Sequence, residues 1–192
     1  MVLSPCRDSA AGTLSINTAF GSGFVAGNTG VLLNTEMDDF VLKPGAANAY
    51  GLTGSSANAI AAGKRPLSSM SPTFVEDARG VLVLGTPGGS RIISMVLLGL
   101  LDFLDKPVVD VASIVALPRY HHQYLPDRLE VEPGGFDAAT LEALRAKGHE
   151  IRVAERPWGN MQALYFDKKR RSLSAASDPR GAGLAQVMRL SR

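Results

Sequence analysis

Cysteine is almost missing from this chain. Cys6 stands alone among 192 residues, so no disulfide can close within it, and the redox compartment is left open. Charge of one sign is missing too: 20 Lys and Arg face 18 Asp and Glu, a net charge of +2. That balance is too small to drive binding to nucleic acid or to a membrane surface. No long apolar run exists, since the most hydrophobic stretch, Ile92–Leu104, is too short to span a bilayer. The start, MVLSPCRDSAAG, has no basic segment followed by an apolar run, so no signal peptide is expected. Histidine is scarce. His121 and His122 are adjacent and would not share a face of a helix or strand. With His149 alone elsewhere, no metal set is expected. Internal repeats and low-complexity segments are absent.

What remains is an ordinary globular composition, 45% hydrophobic and 20% charged, with enough length for one domain and one core. The stretch from Lys64 to Arg91, KRPLSSMSPTFVEDARGVLVLGTPGGSR, organises the rest. Its small-residue turns, Ser68-Ser69 and Gly88-Gly89, bracket two β-like runs, Thr73–Glu76 and Val81–Gly85. The second run passes through the two glycines into an apolar helix, expected over Ser90–Leu104 and buried all round. A strand that delivers glycines to a helix start leaves backbone N–H groups facing one point, which suits a developing oxyanion. The paired serines suit a carboxylate. Both patterns also serve as plain turns.

Upstream, residues 1–12 show no periodicity and read as a ragged segment ahead of a domain over 13–192. Thr13–Thr18 alternates and predicts a strand, as does Val31–Asn34. Between them the glycine-rich loop Phe20–Gly30 leads into a strand rather than a helix, so it is no dinucleotide loop. In NTEMDDF, Glu36, Asp38 and Asp39 place three carboxylates within four residues. They could hold an ammonium group or a divalent cation, or form a solvated acidic turn. Residues 41–63 predict a long polar loop. Downstream, Val109–Ala116 predicts a helix stopped by Pro118, and Asp137–Lys147 an amphipathic helix with Asp137 at its start and Gly148 beyond its end. Strands are expected near Ile151–Ala154, Met161–Phe166 and Ser172–Ala176, with Lys168–Arg171 as a solvated hairpin turn. The order of elements predicts an α+β fold or layered sandwich rather than a βαβ repeat.

Six motifs, in order, together resemble the small (light) subunit of the γ-glutamyltranspeptidase (glutathione hydrolase) family of N-terminal-nucleophile hydrolases. They are INTAFGSGFVAG at 16–27, GVLLNTEMDDF at 30–40, KRPLSSMSPT at 64–73, GTPGGSRI at 85–92, ALPRYHHQYLPD at 116–127 and ASDPR at 176–180. The resemblance covers about residues 13–181. It implies the small-subunit half of a four-layer αββα sandwich with its first strand missing. It implies transfer of a γ-glutamyl group from glutathione-like donors to water or an amino acid through a γ-glutamyl-enzyme intermediate, with no cofactor. In that resemblance Ser68 and Ser69 hold the substrate α-carboxylate, Asp39, Glu36 and Asn17 face its α-ammonium, Gly88 and Gly89 form the oxyanion hole, and Ser15 supports the nucleophile.

The nucleophile that the resemblance implies is a threonine freed as a new N-terminus, in a Thr-x-His-x-Ser motif roughly twenty residues before Asn17. No such motif occurs in residues 1–12, and nothing activates Cys6. Three expectations follow: a truncated binding half of a γ-glutamyl site, a piece of a complete enzyme, or a non-catalytic interaction module. The implied partners are a γ-glutamyl small molecule and a large subunit, which supplies the carboxylate-clamping arginine. Family members are usually periplasmic or extracellular; made alone, this chain would be cytoplasmic. An exposed edge at Thr13–Thr18 and an uncovered apolar surface predict poor solubility or self-association for the chain by itself.

Overall fold

The computed structural model describes residues 1–3, 8–43 and 45–188. Cys6 lies outside them. The chain divides into two compact units: Met1–Thr13, Met70–Gln123 and Asp127–Arg192 form one, and Leu14–Ser69 with Tyr124–Pro126 forms the other.

The first unit begins with a short antiparallel pair, β1 (Val2–Leu3) on β2 (Ser9–Ala10). Its main sheet is antiparallel throughout. The strands are β3 (Thr73–Glu76) and β4 (Gly80–Gly85), then β8 (Gln162–Asp167) and β9 (Ser172–Ser177), in spatial order β3-β4-β8-β9. The β8–β9 hairpin turns through Lys168–Arg171, as the basic run predicts. Helix α1 (Arg91–Asp105) packs on β4, and α2 (Val111–Ala116) packs on β8 and β9. Asp110 caps α2 by accepting from the Ala112 N–H at 3.0 Å and the Ser113 hydroxyl at 2.6 Å.

A second sheet follows. Strand β5 (Tyr120–His122) runs antiparallel to β6 (Leu129–Val131), which pairs in parallel with β7 (Ile151–Val153). Helix α3 (Ala138–Ala146) makes the crossover. Its cap is Asp137, which accepts from the Thr140 N–H at 2.6 Å. Strand β6 has no counterpart in the sequence reading, because three residues are too few to show a period.

The core lies between the main sheet and its helices. Leu82 and Leu84 meet Ile92, Met95, Val96 and Phe103 of α1, with Ile114, Val115, Met161 and Tyr165 around them. The buried α1 residues recur at three- and four-residue intervals, the spacing of one helical face. Gly99 lies on that face, where an added Cβ would sit 2.7 Å from Leu84 Cδ1. The sequence predicts a helix buried all round. The structure buries one side only, because a sheet offers one surface to a helix. The other side is open, with Ile93, Leu97, Leu101 and Leu104 at 57%, 51%, 48% and 63% exposure.

The second unit is mostly irregular. Two 3₁₀ turns, Glu36–Asp39 and Ser56–Asn58, and isolated bridges such as Val25–Leu32 and Val41–Ala59 tie it together. The strand predicted over Thr13–Thr18 does not form. Asn17 takes a φ of 69°, and its N–H donates to the Ser15 hydroxyl at 2.9 Å, a local turn that competes with extension. Val31–Asn34 contributes only the bridge at Leu32.

A buried ionic network locks the first unit. Arg119 and Asp178 are each 2% exposed and paired side chain to side chain. Arg119 also donates to the carbonyls of Val115 and Trp158, and its own N–H donates to Glu132 Oε2 at 3.0 Å. Asp178 accepts from the N–H groups of Met161 and Arg180 at 2.8 and 2.9 Å. Arg180 donates to Glu132 at 2.6 Å and to the carbonyls of Val115 and Leu117 at 3.2 and 2.9 Å. The two arginines thus satisfy the orphan carbonyls at the C-terminus of α2. Burial pushes the Asp178 carboxyl up, but the hydrogen bonds from Arg119 and from the Arg180 and Met161 amides outweigh it and hold it below its usual range.

Asp178→Asn would leave a buried guanidinium without its counter-charge and is expected to cost about 3–5 kcal/mol. Urea denaturation reads this as a lower midpoint at unchanged slope, and a wild-type midpoint would refute it. A carboxyl held low contributes stability above its ordinary pKa and loses it as pH falls through the folded value. The gap between Asp178→Asn and wild type should therefore narrow in acid. Gly99→Ala is expected to cost about 1–3 kcal/mol by overpacking against Leu84, measured the same way.

Candidate functional site

The acidic turn is built by backbone bonds within the second unit. The Thr35 N–H donates to the Ile16 carbonyl at 3.1 Å, and Asn17 Nδ2 donates back to the Thr35 carbonyl at 3.0 Å. This sets Asn17 against the residue that opens the turn. The Glu36 N–H donates to Asn34 Oδ1 at 3.0 Å, which turns the chain into the 3₁₀ helix. That helix carries Glu36, Asp38 and Asp39 in its single turn and has no basic residue to offset them.

The three carboxylates divide by role. Asp38 accepts from the Ala49 N–H at 3.0 Å and so anchors the following loop. Asp39 is partly buried, and its pKa is pushed up to about 6. Burial is the largest cause, followed by a hydrogen bond with the Glu36 carboxyl and the negative charges of Glu36 and Asp38. Glu36 Oε1 is buried and has no hydrogen-bond partner among the described residues. An unmatched acceptor beside a carboxylate whose ionisation is opposed by burial and by neighbouring acids is an electrostatic deficit, and a cation would remove it.

Asn58 is a member of the site that the sequence did not mark. Its Nδ2 donates to the Asp39 carbonyl at 2.6 Å, and its Oδ1 accepts from the Leu67 N–H at 3.0 Å. One side chain therefore joins the acidic turn to the residue just ahead of Ser68 and Ser69. A cavity of about 130 Å³ lies here, walled by Asp38, Asp39, Asn58 and Leu67 among others. Tyr50 was also unmarked; its hydroxyl donates to the Asn17 carbonyl at 3.0 Å. Both residues sit in the polar loop and act through distant backbone atoms, so no local pattern announces them. The Ser15 hydroxyl serves the Asn17 turn.

In the first unit the glycine turn follows β4. Gly88 and Gly89 have φ of 149° and 58°, backbone that favours glycine. A Cβ on Gly88 would also meet Met95 Cε at 2.6 Å. Their carbonyls accept from the N–H groups of Arg91 and Ile92, which opens α1. Among the described residues no protein acceptor meets the N–H of Gly88 or Gly89. Two such donors at the start of a 15-residue helix form an anion-favouring arrangement.

The two adjacent histidines each have their own side-chain partner. His121 is buried, with Nδ1 2.7 Å from the Ser94 hydroxyl and Nε2 2.8 Å from Gln123 Oε1, and burial holds its pKa below the usual value. His122 points to the opposite face and pairs with Asp127 at 2.9 Å. Among the described residues no group of three or more His, Cys, Asp or Glu could hold a metal ion, and no helix is long and apolar enough to cross a membrane.

Comparison with known proteins bears on the family and the fold. The family model described as Gamma-glutamyltranspeptidase matches residues 2–188. The chain is 49% identical over 169 residues to the glutathione hydrolase proenzyme of Escherichia coli strain K12, covering 88% of this chain and 28% of that protein. It is 44% identical over 180 residues to the glutathione hydrolase proenzyme of Pseudomonas aeruginosa, covering 92% and 32%. The chain thus spans about three tenths of the length of each of these two relatives. Among solved structures, γ-glutamyltranspeptidase from Pseudomonas nitroreducens complexed with L-DON superposes with a TM-score of 0.89 at 40% identity, over 98% of this chain and 97% of that one. The α+β architecture is accordingly the small-subunit half of the N-terminal-nucleophile αββα sandwich. With its motifs, its fold and a family match along nearly its whole length, the chain belongs to the γ-glutamyltranspeptidase family.

Proposed function

We propose that this chain binds the γ-glutamyl group of glutathione and related compounds and stabilises the oxyanion formed when that group is transferred to water or an amino acid. One observation carries the reading: Glu36 Oε1 is buried without a partner beside Asp39, whose pKa is raised to about 6. A free amino-acid end brings an ammonium that such a pair can use. Asp39, Glu36 and Asn17 receive that ammonium. Ser68 and Ser69 receive the α-carboxylate. Their placement next to Leu67, which Asn58 ties to the acidic turn, supports the pairing of the two charges.

The chemistry then requires an electrophile held against donors. A nucleophile attacks the γ-carbonyl, and the carbonyl oxygen becomes an oxyanion. The N–H groups of Gly88 and Gly89 stabilise it. The C–N bond breaks, and the amine leaves with a proton, giving the γ-glutamyl-enzyme. Water or an amino acid attacks next and releases the glutamyl product. Ser15 supports the nucleophile. A large subunit is the proposed partner. No step calls for a cofactor.

The test is hydrolysis of γ-glutamyl 4-nitroanilide by the protein isolated in the form its own cell produces. Asp39 must be ionised to pair with an ammonium. Below its pKa of about 6, kcat/KM is expected to fall about tenfold per pH unit, and above it to level off. Asp39→Asn is expected to raise KM by about thirtyfold or more, the loss of one partner of a desolvated charge pair, and to abolish the inflection. An inflection that persists in the variant would remove Asp39 from the site. Absence of turnover at every pH would refute the function itself.

A further inference from the structure

We propose that an arginine-walled cleft beside the Gly88-Gly89 turn binds the carboxylate of the molecule on the amine side of the reaction, the departing or accepting amino acid or peptide. This rests on the oxyanion role proposed above for the turn.

The cleft encloses about 620 Å³ in the first unit and is lined by four arginines against two glutamates. Its cations are not equivalent. Arg180 is committed to Glu132 and Asp178. Arg91 pairs with Glu130 at 2.5 Å and lies over the Trp158 ring, 4.9 Å from its centroid. Arg152 stands in register with Glu130 across β6 and β7. Among the described residues neither the Arg152 nor the Arg156 guanidinium has an ion-pair or hydrogen-bond partner. Nor does the buried indole N–H of Trp158. The cleft wall therefore holds two guanidinium groups that no protein acceptor uses. Glu155, with no carboxylate-bound cation of its own, offsets only part of this charge.

The cleft adjoins the turn. Cβ atoms built on Gly88 and on the cleft residue Gly159 would meet the same thioether, Met95 Cε at 2.6 Å and Met95 Sδ at 2.5 Å. The Asn160 N–H donates to the Thr86 hydroxyl at 3.2 Å, joining the two loops. Arg91 belongs to both places, as the first residue of α1 and as a wall of the cleft. The turn and the cleft thus share Met95 as a neighbour and a hydrogen bond between their loops. The glutamyl ammonium and carboxylate are already assigned to Asp39, Glu36, Ser68 and Ser69. The unused cations are left for the other reactant. An amino acid or peptide presents a carboxylate, which a guanidinium fork matches with two parallel hydrogen bonds, and Trp158 with Arg91 offers a flat surface for the adjoining peptide plane.

Two chromogenic donors separate the cases: γ-glutamyl 4-nitroanilide and its 3-carboxy derivative, which differ by one carboxylate on the leaving group. The protein isolated as its cell produces it is expected to show a KM roughly tenfold lower for the carboxylated donor, the effect of one charge-assisted hydrogen bond. In the double variant Arg152→Ala, Arg156→Ala the ratio of the two KM values is expected to approach one. Arg170→Ala, on the distant β8–β9 turn, keeps the wild-type ratio. Raising the salt concentration should erode the preference of the unmodified protein, a readout that needs no variant. Equal KM values for the two donors, or a ratio that the double variant leaves untouched, would overturn the cleft assignment while leaving the γ-glutamyl reading intact. Failure to hydrolyse either donor would overturn both.

Discussion

A guanidinium cannot shed its proton inside a protein, so burying Arg119 imposes a demand that the surrounding chain must meet. Its partners come from four places: Asp178 beyond β9, Glu132 beyond β6, the end of α2, and the Trp158 carbonyl. Each donor direction fixes one of them. Asp178 in turn holds the Met161 N–H just ahead of β8. That strand pairs Gln162 with Gly85, the last residue of β4. The ionic pair thus sets the register of the sheet end from which Thr86, Gly88 and Gly89 project. Without it the turn would keep its local backbone preference but lose its position.

The parts of this architecture with strong local periods were readable in advance. The position of α1 in the chain, the capped α3, the strands β3 and β4 and the β8–β9 hairpin all follow from spacing, Asp137 and turn residues. What failed did so for identifiable reasons. Thr13–Thr18 alternates like a strand, yet Asn17 tolerates a left-handed backbone and Ser15 offers a nearer acceptor than a neighbouring strand would. Helix α1 is apolar on two sides, and composition alone does not say which side meets the sheet. Strand β6 exists because β5 and β7 lie beside it, a tertiary fact with no sequence period. The same division holds at the candidate site. Glu36, Asp39, Ser68 and Ser69 stood out as clustered residue types. Asn58 and Tyr50 did not, because their work is to reach backbone atoms far along the chain.

The acidic turn illustrates a tension between folding and binding. Three carboxylates in one turn repel each other, and partial burial adds to the cost of ionising Asp39. A turn with only a structural task would satisfy its acids, as Asp38 is satisfied by the Ala49 amide. Glu36 and Asp39 instead share a hydrogen bond and leave an oxygen unmatched. Because the folded pKa of Asp39 is raised, protonation favours the folded form, and the penalty is present above about pH 6. The ammonium proposed for this site would supply the missing charge in the same pH range and turn that penalty into binding free energy.

Net charge says nothing of this, since +2 over 192 residues conceals both an acidic turn and a basic cleft. Hydrogen-bond accounting separates them from the scaffold. Arg180, Arg119 and Asp178 have their donors and acceptors matched inside the protein, and removing one leaves another orphaned. Arg152, Arg156, Glu36 and the glycine amides carry capacity that the described residues do not use. The buried charges of the scaffold are matched by protein partners, as Arg119 is by Asp178 and Arg180 by Glu132. A buried acceptor such as Glu36 Oε1, left without one, is what distinguishes the proposed binding turn from that scaffold.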